Sequence, residues 1–195
     1  MNLPNKLTLM RLLLVPVIMI FIIFQFAGSP WSNVIAAFLF LVAALTDMLD
    51  GKLARKYGLI TDFGKFIDPL ADKFLVIGAM LSLCSITEGI YQKLLIIATV
   101  VVVFRELAVT SLRLLVSGAS GIVIAANILG KIKTTTQIVF VMAALLEPIL
   151  WDLIWKEAAE YNVITYASMA VMTVMTVWSG INYIAGYWKY LDPKK

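Results

Sequence analysis

The chain has 195 residues, of which 62% are hydrophobic and 14% charged, with a mean hydropathy of +0.94; soluble domains carry roughly 45–50% apolar and 25% charged residues, so the solvent to assume is lipid. There is no histidine, which removes Ser-His-Asp triads, histidine-ligated zinc and histidine nucleophiles, and the single cysteine, Cys84, allows no intrachain disulfide. The formal charge of +4 suits an anionic membrane face or an anionic substrate and, without a basic soluble domain, makes no case for nucleic acid.

About 20 apolar residues span the hydrocarbon, and the hydropathy predicts six such helices, near residues 8–27, 32–56, 64–86, 90–117, 132–151 and 161–189. The expected fold is an all-α integral membrane protein with six transmembrane helices. It forms a single domain over residues 1–195, since no repeat, low-complexity tract or linker divides the chain. The first apolar run is too long for a signal peptide and lacks a small-residue cleavage site, so it is expected to stay as a helix. Cys84 reads as a small buried side chain.

The second and third helices carry "TDMLDGKLARKYGLITDFGKFIDPLADK", residues 46–73, with five aspartates. At 100° per residue, Asp47, Asp50, Gly51 and Ala54 fall within an arc of about 100° on one helix, and Gly64, Asp68 and Asp72 within about 80° on the next. The short connection containing Gly58 makes the helices antiparallel neighbours, so the two acidic faces meet. An acidic residue at the bilayer centre costs roughly 2.5–3.5 kcal/mol, and such carboxylates face a bundle interior or a watery cavity. Clustered carboxylates also require positive charge among them, part of which Lys52, Arg55, Lys65 and Lys73 are placed to supply. An all-oxygen cluster suits Mg²⁺ or Mn²⁺ rather than zinc or copper. Two such ions bridged by carboxylates form a clamp for displacement at phosphorus, so phosphoryl or phosphatidyl transfer is the chemistry indicated. Asp62 reads as a helix N-cap or loop residue, and Pro69 is expected to kink the third helix.

Helices four and five add Arg105, Glu106, Arg113, Lys131 and Lys133 in otherwise apolar sequence. They are either the seat of a negatively charged small molecule or end-of-helix anchors that snorkel to the interface. Placing the N-terminus, 52–73, 105–133 and the C-terminus on one side collects 14 of the 16 basic residues there. By the positive-inside rule both termini and the aspartates face the cytoplasm across the cell membrane.

Asp47-x-x-Asp50-Gly51-x-x-Ala54-Arg55, then eight residues, then Gly64-x-x-x-Asp68-x-x-x-Asp72, resembles the signature of the CDP-alcohol phosphotransferase family at every defined position. The resemblance implies a six-helix homodimeric enzyme that cleaves a CDP-linked donor, releases CMP and joins the phosphate-bearing group to an alcohol. It implies that Asp47, Asp50, Asp68 and Asp72 hold two metal ions, with Asp72 also the base. Gly51 and Ala54 then leave room for the nucleotide, and Arg55 contacts the donor phosphates. The stretches "NLPNKLTLMR", "FRELAVTSLR" and "GKIKTTTQ" are similar to those of members using CDP-diacylglycerol as donor and sn-glycerol 3-phosphate as acceptor. On that basis Arg105, Arg113, Lys131 and Lys133 hold the acceptor phosphate, with inositol phosphate an alternative acceptor. Asn5, Thr8 and Arg11 either close over the nucleotide or headgroup, or Thr8 only starts the first helix and Arg11 marks its membrane interface. An ion or proton transporter would also bury carboxylates, but shows paired halves and midplane sites more often than aspartates toward one face.

Overall fold

A computed structural model of the chain describes residues 2–57, 62–120, 128–154 and 162–188, apart from the side chains of 3–4, 48–57, 62–63, 65–66 and 118–120. The described residues form six α-helices and no strand: α1 (Leu3–Phe24), α2 (Ser29–Tyr57), α3 (Asp62–Ile86), α4 (Gly89–Ser120), α5 (Ile128–Ile154) and α6 (Val163–Tyr187). Each is long and apolar enough to cross a membrane, which makes this a multi-pass membrane protein. At 1.5 Å per residue the 32 residues of α4 extend about 48 Å, well beyond a hydrocarbon core of about 30 Å.

The helices lie where hydropathy puts them, and their ends follow local chemistry. α1 starts five residues earlier than expected because Pro4 sits in its first turn, where a fixed φ and a missing N–H cost nothing. It stops at Gln25, which adopts a left-handed conformation (φ 48°), and Gly28 (φ 80°) completes the reversal. The N–H of Gly28 donates to the Gln25 carbonyl at 2.9 Å, and that of Ala27 to the Ser32 hydroxyl at 3.0 Å. This tight corner sets α2 beside α1. α3 continues as one helix through Pro69.

Two trios result. α1 packs on α2 and α3, α6 packs on α4 and α5, and the trios join where α2 meets α5 and where α3 meets α4 and α5. Between apolar helices in lipid there is little hydrophobic driving force, so close contact of small residues counts for more. Ala36, Ala37, Ala43 and Ala44 of α2 are accordingly buried, around Phe40, Phe140, Met80 and Met172. A Cβ on Gly78 would stand 2.9 Å from Val15 Cγ1 and 3.2 Å from Met19 Sδ, so α1 and α3 touch where only glycine fits. Phe38, Phe74, Phe104, Leu114, Val171 and Trp178 point outward, an arrangement that suits acyl chains.

One polar joint lies at the end of the bundle where α6 begins. Glu147 of α5 is buried; its Oε1 accepts from the Ile164 N–H and the Trp151 indole, both at 2.8 Å, and its Oε2 from the Thr165 N–H at 2.6 Å. The residue preceding α6, Asn162, makes no side-chain cap bond.

Candidate active site

The up-and-down course of the helices collects the starts of α1, α3 and α5 and the ends of α2, α4 and α6 at one end of the bundle. Most of the predicted site residues with described side chains gather there in two groups. The acidic group lies in the first trio. Asp47 near the end of α2 pairs with Arg11 of α1, and Asp68 of α3 accepts a hydrogen bond from Thr8 of α1 at 2.7 Å. Asn5, one helical turn before Thr8, is also buried. Arg11 is 1% exposed. It is therefore a buried cation paired with a carboxylate rather than an anchor at the membrane interface. Thr8 lies well inside α1 and does not start it. The positive charge that the aspartates require thus comes in part from α1, a partner that spacing within 46–73 cannot reveal. Asp50, Gly51, Ala54 and Arg55 lie on the last turns of α2, and their side chains fall outside the described set.

The basic group lies in the second trio. Arg105 and Glu106 are neighbours on α4, and both are buried. The Arg105 guanidinium donates to Glu106 at 3.1 Å and to the Ser179 hydroxyl of α6 at 2.6 Å, and Lys133 of α5 pairs with the same Glu106 carboxylate. Two turns further along α4, Arg113 donates to the Tyr183 hydroxyl at 2.7 Å, and both guanidinium groups lie over the Tyr183 ring, 5.2 Å from its centre for Arg113 and 5.7 Å for Arg105. Gly180 makes this possible, since a Cβ there would stand 3.1 Å from Arg105 Cγ. Lys131 is exposed whereas Lys133 is buried, as expected of residues two apart on a helix. Ser179, Gly180 and Tyr183 carry no signal in the sequence, being ordinary residues in an apolar run.

Asp72 joins the groups. Asp47 and Arg11 act on it electrostatically from one side, Lys133 and Glu106 from the other. A small open cleft beside it is lined by Asp72, Val76, Val102, Glu106, Lys133 and Gln137, among others. Among the described residues no three acidic, histidine or cysteine side chains converge as a ready metal cage. The donor chemistry nevertheless fits a hard divalent cation. Asp47, Asp68 and Asp72 offer only oxygens, and Arg11 drawn in against Asp47 is the sign of a cluster that attracts cations. Negative charge on one side and buried cations on the other suit a ligand that carries phosphate.

Fold and site thus define a multi-pass helical membrane protein with a polar seam of carboxylates and buried cations between its two halves. The sequence model of the family described as CDP-alcohol phosphatidyltransferase matches residues 1–181, and the chain belongs to that family. It is 39% identical over 199 aligned residues, 97% of each chain, to the CDP-diacylglycerol–glycerol-3-phosphate 3-phosphatidyltransferase of Bacillus subtilis (strain 168). Proteins of the same name from Salmonella choleraesuis (strain SC-B67) and Shigella flexneri serotype 5b (strain 8401) are 32% and 34% identical over 94% of this chain and 93% of theirs. The chain is accordingly a phosphatidyltransferase-family enzyme, and the transporter alternative falls.

Proposed function

We propose that this enzyme transfers the phosphatidyl group of CDP-diacylglycerol to sn-glycerol 3-phosphate, giving phosphatidylglycerophosphate and CMP. The observation that carries this reading is the shared cleft: Asp72 lies beside Lys133 and Glu106, with Arg105 bonded to that same Glu106. A base thus faces cations able to hold a phosphate-bearing alcohol, and the names of relatives matched over nearly their whole length give the same acceptor.

Asp47, Asp50, Asp68 and Asp72 hold two divalent ions, Mg²⁺ or Mn²⁺. When bound, the ions supply positive charge beside the donor's diphosphate. Arg11 and Thr8 fix one oxygen each of Asp47 and Asp68, orienting carboxylates that would otherwise swing. Arg55 contacts the donor phosphates, while Gly51 and Ala54, with Asn5 and Thr8 of α1, border the nucleotide. Arg105, Arg113 and Lys133 seat the acceptor phosphate, and exposed Lys131 draws it in from solution. Asp72 takes the proton of the acceptor hydroxyl as its oxygen bonds to the lipid-proximal phosphorus; the P–O bond to CMP breaks and its electron pair leaves with CMP. Positioning supplies most of the acceleration. The site faces the cytoplasm, the protein resides in the cell membrane as a homodimer, and the acyl tails remain in the bilayer.

The test is CMP release by purified protein with CDP-diacylglycerol and Mg²⁺ or Mn²⁺, offering glycerol 3-phosphate, inositol phosphate, inositol and serine separately. Release is expected only with metal and glycerol 3-phosphate; preference for inositol phosphate would move the acceptor assignment and keep the chemistry. Asp72→Asn is expected to lower turnover about 10²- to 10⁴-fold with donor binding intact. Near-normal turnover in that variant would remove Asp72 from the role of base.

A further inference from the structure

Gln137 ends the "GKIKTTTQ" stretch of α5 and has no part in the mechanism above. It is 1% exposed, it lines the cleft with Asp72, Glu106 and Lys133, and its amide Nε2 is buried with no hydrogen-bond partner. Buried amides are nearly always paired, because an unpaired donor forfeits its bonds to water. Here the unpaired atom belongs to a side chain that lines the cleft beside Asp72. Gln137 sits one turn along α5 from Lys133, on the same face, with Val76 and Val102 among its neighbours in the cleft wall. An uncharged amide beside apolar walls is poorly matched to a phosphate or a metal ion. It is well matched to a hydroxyl, which both donates and accepts, as an amide does.

The acceptor of the proposed reaction presents three polar features: a phosphate, the hydroxyl that attacks, and a second hydroxyl that does not react. The cations take the first and Asp72 the second. We infer that Gln137 hydrogen-bonds the third, the non-reacting secondary hydroxyl of the acceptor, and so determines specificity among phosphate-bearing alcohols. This rests on the acceptor reading given under Proposed function.

The test pairs two acceptors with two enzymes. The probe is 3-hydroxypropyl phosphate, which is glycerol 3-phosphate without the secondary hydroxyl. For the parent enzyme kcat/KM is expected to fall about 10- to 100-fold with the probe, the factor that one buried hydrogen bond left unmade costs. In Gln137→Met, similar in volume and unable to form the bond, the two acceptors are expected to be used within about threefold of each other. The KM for CDP-diacylglycerol should be unchanged. A folding defect would not produce this loss of discrimination, because it lowers activity with both acceptors alike. Undiminished discrimination in Gln137→Met would overturn the inference, as would equal use of both acceptors by the parent enzyme, a comparison that needs no variant. In either case CMP release with glycerol 3-phosphate leaves the proposed function standing. Absence of release with both acceptors would sink that function, and the inference with it.

Discussion

Gly180 offers a sharp test of how the cations are held. In Gly180→Ala the new Cβ meets Arg105 Cγ at 3.1 Å, against an ordinary carbon separation of about 3.5–4.0 Å, so the Arg105 stem must move by about 0.5 Å. The bond from its guanidinium to Ser179, now 2.6 Å, then stretches toward the outer part of the hydrogen-bond range. A hydrogen bond to a charged group contributes about 1.5–3 kcal/mol, and losing half of it costs about 1 kcal/mol, or about fivefold in the KM for glycerol 3-phosphate. Alanine also favours the helix by about 0.5–1 kcal/mol over glycine, which offsets the strained contact and leaves the melting temperature nearly unchanged. Gly180→Leu has no such small adjustment available; it drives the guanidinium off both Ser179 and Glu106, and the acceptor KM is expected to rise about 100-fold while the KM for CDP-diacylglycerol stays put. Steady-state CMP release with each substrate varied in turn measures both constants. A Gly180→Leu enzyme with the parent's acceptor KM, or one whose two KM values rise together, would refute the placement of Arg105 in the acceptor seat.

Two further outcomes follow from contacts at opposite ends of the bundle. Thr8→Val removes the 2.7 Å bond to Asp68 without changing shape, and should raise the concentration of Mg²⁺ needed for half-maximal activity about 10-fold, leaving the acceptor KM alone; titrating metal against CMP release reads it. Glu147→Gln weakens the joint between α5 and α6 far from the cleft. It should cost about 1–3 kcal/mol, visible as a lower melting temperature in detergent, with the KM values of the folded fraction unchanged.

The sequence exposes what is local and hides what is not. Asp47 with Ala54, and Asp68 with Asp72, declare themselves because helical spacing puts them on one face, and the six helices because lipid demands long apolar runs. Arg11 is hidden because its partner lies 36 residues away and an arginine near the start of a membrane helix ordinarily anchors an interface. Lys131 and Lys133 look alike in the chain; only the rotation of α5 against α4 buries one and exposes the other. Ser179 and Tyr183 are harder still, since hydroxyls in an apolar helix commonly bond their own backbone, as Thr173 does to the Met169 carbonyl at 2.7 Å. What separates them is the company of α4, which no count along α6 can show. α1 opens ahead of its apolar run for a local reason: Pro4 suits a first helical turn, which hydropathy does not register.

Glu147 also bears on how the protein is made. A helix entering lipid must bring its own partners for the first N–H groups or find them there, and each one left bare costs several kcal/mol. α6 has no capping side chain from Asn162; two of those N–H groups are taken by a carboxylate that belongs to α5. The carboxylate in turn is tolerable in an apolar setting only because those donors and Trp151 meet it. Each helix therefore carries the other's missing half, and neither end is satisfied in lipid until the two have met.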